Sequence, residues 1–397
     1  AWPTDKWWQA YGDAQLDQLI AEAVEAAPSL RIAEARLHRA EAGMQMADSA
    51  SSLQVSANAS ASEDKQTYNL LVPKQQLPQG WNDYGRMTLN FSWDLDFWGR
   101  NRSALAPATS ELEAQRAELA QARLMLAAGV AANYAELSRL YANRETAVKA
   151  LEIRQKTSGL FAQRFANGLE TRGSVRDADA RRAMAEGSLL AVDEQIALQR
   201  NRIAALLGAG PDRGLAITAP TLKLDRGFGL PGELSVNLLG RRPDVVAARL
   251  RAEAAAKRID ASRAEFYPNV NLAGFFGVHS LGLEHLFKSG SDTGSIGPAI
   301  SLPIFNGGRL KAQLKGSHSD YDAAVAGYDA TVAHALQEVA DNAVSQKALG
   351  QRLLKAEEAV AAATEAHRVA RNRYEGGLAN YLEVLSAEDN LLNSLNA

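Results

Sequence analysis

The 397-residue chain contains no cysteine, which excludes disulfide scaffolds, Cys-ligated zinc, iron–sulfur centres and a thiol nucleophile within it. It has no excess of either charge: 43 Lys and Arg stand against 46 Asp and Glu, a formal net charge of −3. That balance argues against a dedicated nucleic-acid binder, which carries a basic stripe. No run approaches the roughly 18–20 apolar residues of a membrane-spanning helix. Proline is missing from 108–210 and from 304–397, although twelve prolines are spread over the rest. Among the six histidines only His279 and His285 lie close together, beside Glu284 in a Gly-rich stretch. No HExxH, Walker or dinucleotide motif is present, so no cofactor or metal site and no enzymatic constellation is expected.

What is present is an internal repeat. Gly99-Arg100 returns as Gly308-Arg309, Val130-Ala131-x-Asn133 as Val339-Ala340-x-Asn342, and Arg164-Phe165-x-x-Gly168-Leu169 as Arg373-Tyr374-x-x-Gly377-Leu378, each 209 residues on. Upstream the spacing becomes 215, pairing Pro28 with Pro243 and Val55 with Val270. Each half has the same internal order. A helix (about 29–51 and 243–266) leads into two alternating segments, then into a very long helical run.

The alternating segments read as strands. From Met87 to Phe97 every odd position is apolar and every even one polar, the period of a two-faced sheet. Its expected partner is 53–62; the second half offers 269–278 and 295–304. Polar, Gly- and Pro-containing connections fall at 63–86 and 279–294. In the helical runs, Leu112, Leu119, Leu126 and Leu140 recur in heptad register, mirrored by Tyr321, Tyr328, Ala335 and Leu349. Asn133 and Asn342 hold the intervening position. Sixty helical residues make a rod of about 90 Å, which needs other helices to pack against.

Each alternating segment is about ten residues, the length of a tilted transmembrane β-strand. Four strands cannot close a barrel, and lipid tolerates no open edge. If the sheet lies in a membrane, copies of the chain must pool strands, and three copies give twelve. On the residues alone a soluble sheet stays open as the other reading.

Further residues carry a resemblance. Trp7-Trp-Gln-Ala-Tyr-Gly-Asp-Ala-Gln-Leu-Asp-Gln-Leu-Ile20, Leu238-Leu-Gly-Arg-Arg-Pro-Asp244, Leu302-Pro-Ile-Phe-Asn-Gly-Gly-Arg309 and Tyr374-x-x-Gly-Leu-x-x-Tyr-Leu-x-Val-Leu385 resemble TolC-type outer-membrane efflux proteins. The likeness is to the lipoprotein branch that partners resistance-nodulation-division pumps. It implies an α + transmembrane-β homotrimer with a twelve-stranded outer-membrane barrel, a twelve-helix periplasmic α-barrel and an equatorial collar. On that plan, 1–52 and 205–268 supply the collar and the first helix of each half. Residues 53–98 and 269–305 supply strands and extracellular loops. Residues 99–204 and 306–397 supply the α-barrel, with tip turns near 165–173 and 374–380.

The implied function is the exit duct of a tripartite pump for drugs or other small toxic compounds. The implied partners are two further copies of the chain, a periplasmic adaptor, an inner-membrane transporter and outer-membrane lipid, with no nucleic acid. A type I protein-secretion duct and a soluble coiled-coil scaffold are the alternatives. The branch begins its mature chain with a lipidated cysteine; none stands here, so Ala1 is expected to follow a residue that is removed or not shown, and Ala397 precedes the end seen in relatives, so both ends read as trimmed or disordered.

Site expectations follow from the same likeness. Leu382 matches a constricting leucine, Glu383 an acidic ring position, and Ser386 stands where an aspartate is frequent. Tyr374 matches a tyrosine that ties helices together in the closed state. Gly168, Gly376 and Gly377 form the tip turns; Gly99, Arg100, Gly307, Gly308 and Arg309 mark the barrel-to-helix hinges. From the residues themselves, Asn380 reads as a helix N-cap with Glu383 as its reciprocal third residue. Asp177 and Asp179 follow the first turn, where they either bind basic groups or cations or are simply solvated.

Overall fold

A computed structural model describes residues 6–69, 72–223 and 240–396. Ala1 and Ala397, Pro3 and Pro231, and the Leu238-Leu239 start of one motif lie outside them. The elements are α1 (Ala14–Ala26), α2 (Pro28–Ser49), β1 (Gln54–Asp64), β2 (Asn82–Asp94), α3 (Arg100–Ala166), α4 (Arg172–Leu206), α5 (Pro211–Leu215), α6 (Pro243–Ala264), β3 (Asn269–Leu281), β4 (Asp292–Ser301), α7 (Arg309–Glu375) and α8 (Tyr381–Asn396). The repeat is thereby visible in three dimensions: α3 and α7 are each 67 residues, offset by 209. At 1.5 Å per residue each helix is about 100 Å long.

The chain divides into two compact units. One comprises Glu34–Glu118 and Gly240–Val332 and holds the antiparallel sheet, in the order β1-β2-β3-β4. Its register places Val55, Phe91, Gly274 and Ile296 in one row, and Ala57, Leu89, Phe276 and Gly294 in the next on the same face. The opposite face carries Ser56, Asn90, Phe275 and Ser295, then Asn58, Thr88, Gly277 and Thr293. The apolar face is the open one: Phe276 is 65% exposed while Thr88 on the polar face is 3% exposed. A soluble sheet does the reverse. β1 and β4 are unpaired at their outer edges among the described residues.

Several boundaries differ from the sequence expectation. β1 runs to Asp64 and β2 begins at Asn82, not at 87, so the connection expected at 63–86 shortens to 65–81. β2 stops at Asp94, not at 97, because Asp96 adopts a left-handed φ of 46° and its carboxylate accepts the amides of Asn101 and Arg102. The alternation continues through Leu95 and Phe97, but the backbone has already turned to start a helix. β4 lies at 292–301, not 295–304, and leaves Ile304 and Phe305 more than nine-tenths exposed beyond it. The connection expected at 279–294 shortens to 282–291, since β3 runs to Leu281. Arg100 and Arg309 are the first residues of α3 and α7, preceded by Gly99, Gly307 and Gly308 at positive φ. α3 also continues through Pro107, whose ring removes one amide from the helix ladder. Its repeat mate in α7 is Gly316.

The other unit comprises Ala1–Ala33, Leu119–Leu239 and Ala333–Ala397. Its main core joins α1, the middle of α3, α4 and the segment around Ile217, with Leu16, Leu19, Ile20, Tyr134, Leu137 and Ile203 fully buried. Asp13 fastens it. This carboxylate caps α1 at Gln15 N (2.9 Å) and accepts the Tyr134 hydroxyl (2.9 Å) and the Thr221 amide (2.7 Å). Burial alone would raise its pKa; these donors outweigh burial and hold it below the ordinary value. In both halves the heptad asparagine donates to the carbonyl four residues back, Asn133 to Gly129 and Asn342 to Glu338. Gln199 joins Asn133 from α4.

Candidate functional site at the helix turns

Two turns of one construction connect α3 to α4 and α7 to α8. Gly168 (φ 72°) and Gly377 (φ 75°) occupy the left-handed position that closes a helix. The amides of Leu169 and Leu378 reach back to the carbonyls of Arg164 (2.9 Å) and Arg373 (2.7 Å). Gly376 continues the last turn of α7, its amide bonding the Asn372 carbonyl. The next helix begins on matching caps. Thr171 Oγ1 accepts from Ser174 N, and Asn380 Oδ1 accepts from Glu383 N.

The equivalent side chains then diverge. Tyr374, where the first turn has Phe165, is 2% exposed, and its hydroxyl donates to Glu170 Oε2 at 2.6 Å. One turn is thereby bonded to the other. The Arg164 guanidinium lies 4.6 Å over the Tyr374 ring, and Phe161 packs beside it at 5.4 Å. Burial pushes the Tyr374 phenol up, reinforced by the Glu170 carboxylate. Burial would also raise Glu170, but the Tyr374 hydroxyl, the Thr171 amide, Ser174 and Arg164 bring it below its usual range.

α8 carries the other candidates on one face. Leu382, Glu383 and Ser386 lie on its more open side; Val384, Leu385, Glu388, Leu391 and Leu392 are buried behind them. Asn380 caps α8 as read from the sequence, but the reciprocal half does not form: the Glu383 carboxylate pairs with Arg373 at 3.2 Å. Asp177 and Asp179 are not free. Asp177 pairs with Arg181, and Asp179 accepts from Ser158 and pairs with Arg176.

Beneath this face lies an ionic cluster that sequence reasoning missed. Glu388 is 0% exposed and pairs with Arg154 at 2.8 Å while accepting the Thr157 hydroxyl at 2.8 Å. Arg154 also reaches Asp389 at 2.5 Å, and Asp389 takes Arg181 at 2.8 Å. The partners are more than 200 positions apart, so no local pattern could reveal them. The hinge residues Gly99, Arg100, Gly307, Gly308 and Arg309 stand at the N-terminal starts of α3 and α7, where the chain leaves the strands. Arg100 is tied to Asp94 at 2.9 Å, and Arg309 donates to Gln313.

A four-stranded sheet with an apolar outer face and open edges, continued by paired 67-residue helices, defines a class of protein: a chain that builds a membrane β-barrel by pooling strands with its copies. The chain matches the model of the outer membrane efflux protein family over residues 19–209 and 234–397, and it belongs to that family. It is 49% identical to VceC from Vibrio cholerae, whose crystal structure aligns with a TM-score of 0.93 over 100% of this chain and 94% of that one. It is 38% identical over 318 residues to the fusaric acid resistance protein FusA of Burkholderia cepacia, covering 79% of this chain and 59% of FusA. Over 393 residues it is 31% identical to the multidrug resistance outer membrane protein MdtP of Escherichia coli K12, covering 97% of this chain and 80% of MdtP.

The protein is thus an outer-membrane channel subunit of the homotrimeric class, with four strands per chain in a twelve-stranded barrel and long helices crossing the periplasm. The apolar sheet face is the lipid face, and the polar face lines the lumen.

Proposed function

We propose that the trimer is the exit duct of a tripartite efflux pump for small toxic compounds, closed at its periplasmic turns by a ring of Leu382 and Glu383. An inner-membrane transporter of the resistance-nodulation-division type would drive it through a periplasmic adaptor. The observation that carries the gating reading is the two-sided α8. Its inner face is fixed by Val384, Leu385 and the Glu388–Arg154 pair, leaving Leu382, Glu383 and Ser386 presented together. Ser386 has no charge, so Glu383 is the acidic group of that ring. It is held by Arg373 in the resting arrangement. The Tyr374–Glu170 bond holds the two turns of one chain in the same arrangement.

Single-channel recording in planar bilayers tests this reading. Leu382→Ala should raise unitary conductance, Glu383→Gln should lower cation preference, and Tyr374→Phe should raise the frequency of large openings. Unchanged currents in all three variants would sink the gate assignment.

A further inference from the structure

The lumen face of the sheet is almost without charge. Reading the register across the four strands, its ionisable side chains are Tyr84, Arg86, His279, Asp64 and Asp94. The remaining positions in the strands are Ser, Thr, Asn, Gln, Gly, Ala, Phe and Leu. Arg86 is the one side chain on this face with a full positive charge at neutral pH. Ser60 stands opposite it on β1 and His279 on β3. Its guanidinium lies 5.5 Å over the Phe275 ring, which holds it against the wall. No carboxylate pairs with it among the described residues.

Neither acid on this face is placed to cancel that charge. Asp64 lies four residues beyond Ser60 along β1, about 14 Å at 3.4 Å per residue, and accepts the Ser62 hydroxyl. Asp94 lies eight residues along β2, about 27 Å, and is paired with Arg100 at 2.9 Å. Both distances exceed a Debye length of about 8 Å at physiological salt. His279 is directly across from Arg86 with its ring tilted against Tyr84 at 6.2 Å, and brings no negative charge. The loop that follows β3 packs Leu283 and Leu286 over Gly85, a position whose side points to the lipid face, and its one acid, Glu284, is paired with His285 at 3.1 Å.

We propose that Arg86 is a specificity-determining residue of the duct: its three copies form a cationic girdle on the lumen wall of the β-barrel. The girdle favours solutes bearing carboxylate or phosphate groups over cationic ones. It rests on the duct reading and adds to it. The acidic ring at the turns and the cationic girdle in the barrel act on permeant charge in opposite senses, at separate stations of one path.

The cysteine-free chain makes the test direct. Ser60→Cys introduces a single thiol opposite Arg86 on the lumen face. Its reaction rates with sulfonatoethyl and trimethylammonioethyl methanethiosulfonate are measured on the purified trimer in detergent at 0.15 M salt. The ratio of anionic to cationic rate reads the local potential whatever the state of the gate. Coulomb interaction with one unit charge about 6 Å away in water, screened at that salt, gives about a three-fold fall in that ratio for Arg86→Ser. Arg86→Glu should invert the preference and Arg86→Lys should retain it, which a purely structural arginine would not do. An equal ratio with and without Arg86→Ser, measured at an introduced thiol that reacts, overturns this inference alone. A reactive thiol in Ala59→Cys together with an inert one in Ser60→Cys would reverse the assignment of faces and take the duct reading with it.

Discussion

Removing either member of the Arg154–Glu388 pair should have unequal effects, and the inequality follows from who is left behind. Arg154→Met strands Glu388, which is 0% exposed, with only the Thr157 hydroxyl as donor. An uncompensated buried charge of that kind costs about 3–5 kcal/mol. Glu388→Leu leaves Arg154 still bound to Asp389 at 2.5 Å, so no orphan charge remains. The loss is then about 1–2 kcal/mol, that of a charged hydrogen bond with its packing retained. In the double variant the orphan disappears together with its partner. Its stability should lie near that of Glu388→Leu, giving a coupling energy equal in size to the Arg154→Met loss, about 3–5 kcal/mol. Guanidinium midpoints of the purified trimer in detergent, all at one protomer concentration, measure the cycle. Arg154→Met no worse than Glu388→Leu, or a double variant equal to the sum of the singles, would refute the reasoning.

Two further outcomes are expected. Gly168→Ala and Gly377→Ala meet no atom within 4 Å but force a side chain into φ of 72° and 75°. Each should cost about 1–2 kcal/mol in the same denaturant assay with no clash to relieve, and Gly168→Asn should be milder than Gly168→Ala. The unit that carries the turns should lose stability on both sides of neutral pH. Asp389, with burial outweighed by Arg154 and Arg181, and Glu170 have lowered pKa values, so their contribution is present above about pH 4 and fades as pH falls further. His367 is lowered by burial against the opposing pull of Glu388, so its share begins to fade earlier, below about pH 6.5. Tyr374 is raised, so its share is intact below about pH 10 and is lost as pH climbs beyond. Denaturation midpoints between pH 3 and 11 check the signs. Tyr374→Phe should reduce the alkaline arm, leaving the share of Tyr134, whose phenol burial also pushes up.

The sequence was most legible where a pattern repeats along the chain. Period-2 runs located all four strands, since the lipid face demands an apolar residue at every second position. The 209-residue offset paired the two long helices and their glycine turns. Boundaries were less legible when one side chain overrode a continuing pattern: Asp96 ended β2 although alternation ran on to Phe97. Asp177 and Asp179 looked available because their arginine and serine partners are invisible to spacing rules. The same holds more strongly for Glu388 and Asp389. On a helical wheel they are two adjacent acids; folding brings Arg154 and Thr157 to one and Arg181 to the other.

The equal length of α3 and α7 has a consequence for how such a chain can change. The tilted Phe161–Tyr374 ring contact and the Tyr374–Glu170 bond fix the ends of the two helices in level and rotation relative to one another. One residue inserted into α3 alone would raise its turn by about 1.5 Å and rotate it by about 100°, breaking both contacts. Length is therefore inherited as a shared property of the duplicated halves. An insertion or deletion in one helix has to be matched in its twin before it can be tolerated. Changes that shorten or extend the rods should accumulate in pairs, while single substitutions such as phenylalanine against tyrosine remain free to give the two turns different tasks.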